Sequence, residues 1–138
     1  MINNLHHIGY AVPDIGKAIC ELSALGWKAR GSETDDVKRQ VRIAFMELNG
    51  LLIELVSPLS TGSPIYKFLQ KGCGSLYHLC YAVDSIADAE RELKDAGFLP
   101  FRKAAPAPAI EGRCVEFMFS KSIGVIELVE KCKKGDAQ

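Results

Sequence analysis

Hydrophobic positions in this chain fall into strand-like and helix-like runs, and the order of the runs occurs twice. The first run, LHHIGYAV (residues 5–12), is apolar on both faces, the pattern of a strand buried on both sides. Asp14 can cap the segment that follows. Ile15, Ala18, Ile19, Leu22 and Leu25 then recur at helical spacing until Gly26 stops the helix. A short strand and a polar loop come next, followed by a hairpin predicted from residues 41–48 and 51–56. From residue 76 the order starts again with LYHLCYAV and a cap at Asp84 or Ser85. Ile86, Ala89, Leu93 and Ala96 form the second stripe, Gly97 stops it, and residues 114–119 and 125–129 form the second hairpin. Each half therefore reads β-α-β-β-β, and the fold class is α+β.

The halves also agree letter by letter. At an offset of 71, LHHIGYAVPDIGKAICELSALGW meets LYHLCYAVDSIADAERELKDAGF with ten identities in 23 positions. AFMELNGLLIELV (44–56) meets EFMFSKSIGVIELV (116–129) with one residue inserted in the second copy. The chain is a duplication. Between the copies, SPIYKFLQKG predicts a short linker helix, with Ser63 as N-cap, Pro64 in the first helical position and Gly72 past the end. We therefore read 1–138 as one domain: module one at 1–58, linker helix at 59–74, module two at 75–131 and a frayed tail at 132–138. The loop KAAPAPAIEG (103–112) fits either a lid or a stiff proline-bearing connection.

Composition narrows the class without naming a chemistry. The 138 residues are 48% hydrophobic and 25% charged, ordinary for a soluble globular domain. Seventeen basic residues balance seventeen acidic ones, so no net field draws the chain to nucleic acid or anionic lipid. The start, MINNLHHIGYAV, lacks a cationic region followed by an apolar run, and no apolar segment approaches the ~18 residues of a membrane span. Five cysteines without a CxxC pair fit reduced thiols in the cytoplasm, with Cys20 and Cys80 as small buried apolar groups.

Repetition explains repeated apolar residues through a shared core. It does not explain imidazoles and carboxylates at matched places in apolar strands. His7 and His78 recur on the first strands, and Glu54 and Glu127 recur within IELV on the last strands. Glutamate is rarely buried unless paired or bound to a metal. Period-two geometry places Leu52, Glu54 and Val56 on one face and Leu51, Ile53 and Leu55 on the other. If the modules pack about a pseudo-twofold axis, the four residues surround one point. Such a nitrogen–oxygen set suits Ni, Co, Mn, Fe or Zn, and an octahedral ion would keep two adjacent positions for substrate oxygens. His6 faces the other side of its strand and becomes Tyr77 in the repeat, so it is left out. The repeated Tyr10 and Tyr81 read as core or barrel lining.

The repeated module with HHIGYAV, IELV, YHLCYAV and IELVE resembles the vicinal oxygen chelate superfamily, from Leu5 to about Glu130. That resemblance implies an open, partly closed β-barrel curled around a metal site, with ligands at His7, Glu54, His78 and Glu127. It also implies a homodimer. YHLCYAV, APAIEGR and FSKSIGVIELVEK are similar to clostridial-type glyoxalase I, whereas HHIGYAVPDI, VSPLSTGSPIYKFLQKG and IELVE are similar to methylmalonyl-CoA epimerases. Where epimerases carry Gln-Gly-Val or His-Gly-Val, this chain has Arg39-Gln40-Val41. Where they have His-Pro-Lys, it has Phe119-Ser120-Lys121.

The expectation is a metal-dependent lyase or isomerase of glyoxalase I (lactoylglutathione lyase) type, with Ni, Co or Zn and a small thiohemiacetal substrate. The alternative is an epimerase of methylmalonyl-CoA or a related acyl thioester. In the glyoxalase resemblance, one metal-bound glutamate, Glu127 or Glu54, is also the base. Arg39, Arg42, Arg102 and Lys103 are candidate anchors for an anionic substrate arm. A non-catalytic resistance protein would generally lack the full ligand set, and an extradiol dioxygenase would need the position that Glu54 fills.

Overall fold

The computed structural model describes residues 2–131, so the tail expected to fray from 132 lies outside the described residues. Among the described residues, nine strands and two α-helices, with both parallel and antiparallel pairing, make the fold α+β. The chain divides into two compact units. The first runs from His7 to Tyr77, and the second joins the residues up to His6 to those from His78 onward. The cuts fall inside strands β1 (Ile2–Ala11) and β5 (Ser75–Val83) rather than at the linker.

In the first unit, helix α1 (Ile15–Ala24) forms where the apolar stripe requires it. Asp14 Oδ1 accepts a hydrogen bond from the Lys17 N–H at 2.9 Å, satisfying a donor that has no partner inside the helix. Gly26, at φ 96°, ends the helix in a conformation that side chains disfavour. The strand order is β2 (Lys28–Asp36), β3 (Val41–Leu48), β4 (Leu51–Pro58), β1. β1 runs parallel to β4, and the other pairs are antiparallel. Asn49 and Gly50, both at positive φ, make the tight β3–β4 turn. Val12, Ile15, Ala44, Met46, Ile53 and Leu55 form the core between α1 and the strands, with Tyr10 packed against them.

The second unit repeats the plan. Ser85 caps α2 (Ile86–Asp95), Gly97 ends it at φ 98°, and β5 runs parallel to β9 (Gly124–Glu130). The order is β5, β9, β8 (Arg113–Ser120), β6 (Leu99–Pro100), and β7 (Ala105–Ala107) also pairs with β8. Val83, Ile86, Ala89, Met118, Ile126 and Leu128 fill the space under α2, with Tyr81 against them. In neither unit does the strand order close on itself.

Four expectations change on inspection. The linker contains only a single 3₁₀ turn, Tyr66–Leu69, with no side-chain cap. A segment this short does not sustain an α-helix unless packing holds it. The strand after α2 is broken into β6 and β7, because Pro100, Pro106 and Pro108 cannot donate to a ladder. The segment 103–112 is accordingly a built connection: β7, then a 3₁₀ turn (Pro108–Ile110), with Ala107 and Ile110 buried. Finally, Cys20 is exposed on the outer side of α1, and only Cys80 of the two is a buried apolar group.

Candidate metal centre

Strand alternation decides where the charged residues point. Tyr10 of β1, Val12 just past its end, and Ile53 and Leu55 of β4 face α1, so His7 and Glu54 face the opposite side. His7 is 0% exposed and Glu54 is 4% exposed. Gly9 pairs with Glu54 across β1–β4, so the glutamate sits two residues along from His7, and His7 Nε2 lies 3.6 Å from Glu54 Oε1. Phe45, the cross-strand partner of Glu54, presents its ring to the His7 imidazole at 5.6 Å and 80°.

The second unit builds the same arrangement from its own residues. Tyr81 and Val83 face α2, and His78 faces away. His78 Nε2 lies 3.7 Å from Glu127 Oε1, and both side chains are at most 5% exposed. Phe117, cross-strand partner of Glu127, meets the His78 ring at 5.5 Å and 88°. Each unit thus carries one buried imidazole, one buried carboxylate and one phenyl ring that fixes the imidazole's plane.

The donor chemistry of each pair fits a divalent ion. At 3.6 and 3.7 Å the nitrogen and oxygen are too far apart for a good hydrogen bond. They are close to the ~3–3.5 Å that separates neighbouring ligands of one ion with bonds of ~2.1 Å. A carboxylate this buried is costly unless compensated, and a divalent ion would compensate it.

The other sequence candidates are placed differently. Arg39 donates from Nη1 to Asp36 Oδ2 at 2.8 Å and from its backbone N–H to Asp36 Oδ1 at 3.1 Å, which satisfies the buried Asp36. Arg42 pairs with Asp35 at 2.7 Å on the surface, and this hydrogen bond holds the Asp35 carboxyl below its usual range. Arg102 and Lys103 line a cavity of about 480 Å³ with Glu90, Phe101 and Glu116. His6 contacts Arg113 at 3.3 Å and takes no part in either pair.

Sequence reasoning passed over Phe45 and Phe117, whose signal was the shared Phe-Met of AFM and EFM. It also passed over Glu116, a buried carboxylate beneath α2 where the first copy has Ala44. Its signal was that mismatch within an otherwise apolar match.

The family model of the glyoxalase/bleomycin resistance protein/dioxygenase superfamily matches residues 6–117. The chain belongs to this superfamily. Within it, the chain is 36% identical over 123 residues to the ethylmalonyl-CoA/methylmalonyl-CoA epimerase of Cereibacter sphaeroides, covering 88% of this chain and 91% of that one. It is 33% identical over 134 residues to the mitochondrial methylmalonyl-CoA epimerase of Mus musculus, covering 94% of this chain and 72% of that one. The crystal structure of methylmalonyl-CoA epimerase from Mycobacterium tuberculosis matches with a TM-score of 0.83 at 28% identity, over 99% of this chain and 93% of that one. These relatives favour the epimerase alternative, and the glyoxalase I expectation finds no support among them. Among the described residues, no helix is long and apolar enough to cross a membrane.

Proposed function

We propose that this protein is a metal-dependent epimerase of methylmalonyl-CoA or a closely related 2-substituted acyl-CoA thioester. The observation that carries the proposal is the buried histidine–glutamate pair present in each unit, on the face away from the helix. The kinship with epimerases supports the substrate class. In this reading His7, Glu54, His78 and Glu127 are the residues that would hold the divalent ion. When bound, that ion would supply Lewis acidity toward the oxygens of the thioester and the neighbouring carboxylate.

The chain's own residues then do the proton work. One glutamate takes the proton from C2 as the C–H bond breaks, and the electron pair moves into the thioester carbonyl. The pair returns to C2 as a proton is delivered to its other face, and configuration inverts with no net change of atoms. Glu54 and Glu127 stand at matching places in the two copies, so one can receive and the other can donate. Phe45 and Phe117 hold the imidazoles edge-on.

The test is exchange at C2. The metal-loaded protein is incubated with (2R)- or (2S)-methylmalonyl-CoA in D₂O, and deuterium incorporation and epimer composition are followed. Both starting epimers should converge on one mixture carrying deuterium at C2. Loaded protein that exchanges neither epimer, yet forms S-lactoylglutathione from methylglyoxal and glutathione, would overturn the proposal.

A further inference from the structure

The duplication supplies an internal control for residues that the fold does not need. In the second unit, β6 and β8 pair Leu99 with Phe119, and these side chains are 65% and 42% exposed. Phe101, 48% exposed, lies beside them, its ring 5.9 Å from Phe117. Phe117 and Phe119 share a face, so the strip Phe117, Phe101, Phe119 and Leu99 begins at the His78 ring and runs outward to the β6 edge.

The matching positions of the first copy are Lys28, Arg30 and Glu47. Lys28 there pairs with Glu47 across β2–β3, and Arg30 Nη1 lies 3.3 Å from Glu47 Oε2. The same strand pairing therefore forms with charged residues, and three large exposed apolar side chains are not a requirement of the module. A contiguous exposed apolar strip beginning at a buried polar pair is the mark of a ligand surface. Two strand spacings separate β9 from β6, so the strip extends roughly 10 Å from Glu127 toward the edge. Arg102 and Lys103 follow Phe101 directly and line the cavity beneath α2 with Glu90 and Glu116, off this strip.

We propose that Leu99, Phe101 and Phe119 form the surface on which the pantetheine arm of an acyl-CoA lies. This rests on the epimerase reading above, and it makes the second copy the substrate-arm side of the molecule. The acyl end sits at the His78–Glu127 pair, and the apolar stretches of the arm cover the strip that the first copy fills with an ion pair.

The test compares propionyl-CoA with its N-acetylcysteamine thioester, which keeps the acyl end and loses most of the arm, by calorimetry on the metal-loaded protein. The double variant Phe101→Arg/Phe119→Glu gives the strip the first copy's charges, and Leu99→Lys perturbs it at its most exposed position. The double variant should bind propionyl-CoA about tenfold more weakly, and Leu99→Lys should act in the same direction by less. Affinity for the short thioester should stay within about twofold, and Arg30→Ala should change neither ligand. Equal binding of propionyl-CoA by wild type and both variants, with C2 exchange intact, would overturn the inference and leave the epimerase reading standing. Equal weakening for both thioesters would overturn it too, by placing the strip against the acyl group. Loss of self-association in sedimentation with unchanged propionyl-CoA affinity would identify the strip as a contact between copies. A wild-type protein that binds no CoA thioester would defeat both readings.

Discussion

Replacing Glu116 by glutamine should remove a pH-dependent weakness from the second unit. Glu116 is 4% exposed on the face of β8 that packs under α2, and its Oε1 has no hydrogen-bond partner among the described residues. Burial is the main cause that pushes its pKa up to about 7. The negative charge of Glu90 and a hydrogen bond shared with it add to the rise, and the Lys94 ammonium, paired with Glu90, offsets part of it. The folded-state pKa lies above the ordinary value of 4.5, so between pH 4.5 and 7 the folded chain holds a proton that the unfolded chain has released. Stability from this group is therefore fully present below about pH 4.5, falls as pH rises to about 7, and is level above that.

At about 1.4 kcal/mol per pH unit, the rise from 4.5 to about 7 sets a ceiling of about 3 kcal/mol. Glu116 borders an open cavity of about 480 Å³, where solvent screening would reduce the expected effect to about 1–2 kcal/mol. Glutamine keeps a donor toward Glu90 and cannot ionise. Urea unfolding of metal-free wild type and Glu116→Gln, from pH 5 to 8.5, isolates Glu116 together with the Glu90 carboxylate it bonds, because titrations elsewhere are common to both. The two should agree within about 0.5 kcal/mol at pH 5 and diverge by about 1–2 kcal/mol by pH 8, with the variant more stable. A constant difference across the range, or a wild type that gains on the variant as pH rises, would refute the reasoning.

Other perturbations follow from the same geometry. Glu54→Gln and Glu127→Gln should each lower kcat for C2 exchange by about 100-fold or more while KM moves by less than about threefold, because a proton carrier acts mainly in the transition state. Full turnover in both variants would remove the glutamates from that role. Gly74→Ala should cost about 1–3 kcal/mol in urea unfolding, since its Cβ would stand 2.9 Å from Tyr10 Cε1 and 3.2 Å from the Ala11 carbonyl oxygen; an unchanged midpoint would count against this close approach. Asp36→Asn should cost about 2 kcal/mol by the same method, because the buried carboxylate holds both the Arg39 guanidinium and its backbone N–H. Wild-type stability in that variant would mean that the pair is not formed in solution.

The elements legible in the sequence were those whose signal is local. Asp14 and Ser85, the two stripes, Gly26 and Gly97 marked both helices to within about two residues, and the His–Glu pairs could be chosen because a duplication makes unneeded repetition visible. The linker helix was overread because Ser63, Pro64 and Gly72 carry cap signals regardless of whether the eight residues between Ser63 and Gly72 can sustain a helix. Cys20 was misplaced because its position on the helix circumference lies just beyond the stripe of Ile15, Ile19 and Leu22. The basic candidates could not be sorted by sequence at all. Asp35 and Asp36 engage Arg42 and Arg39, a pairing set by the β2–β3 turn and register rather than by composition. Glu116 escaped notice because a single carboxylate in a strand carries no local sign of which face it will occupy. The choice between glyoxalase and epimerase depended on kinship, since the four candidate residues do not distinguish the two.

We propose that the buried histidine–glutamate pairs are the metal-holding residues, and counting the bound metal decides it. Apoprotein titrated with Co(II) or Ni(II) by calorimetry, with total metal counted independently, should take up one ion per chain. His7→Ala/Glu54→Gln and His78→Ala/Glu127→Gln should each abolish that uptake. Two ions per chain, with one surviving in each double variant, would show that the pairs bind separately, and no uptake at all would remove the metal from the account.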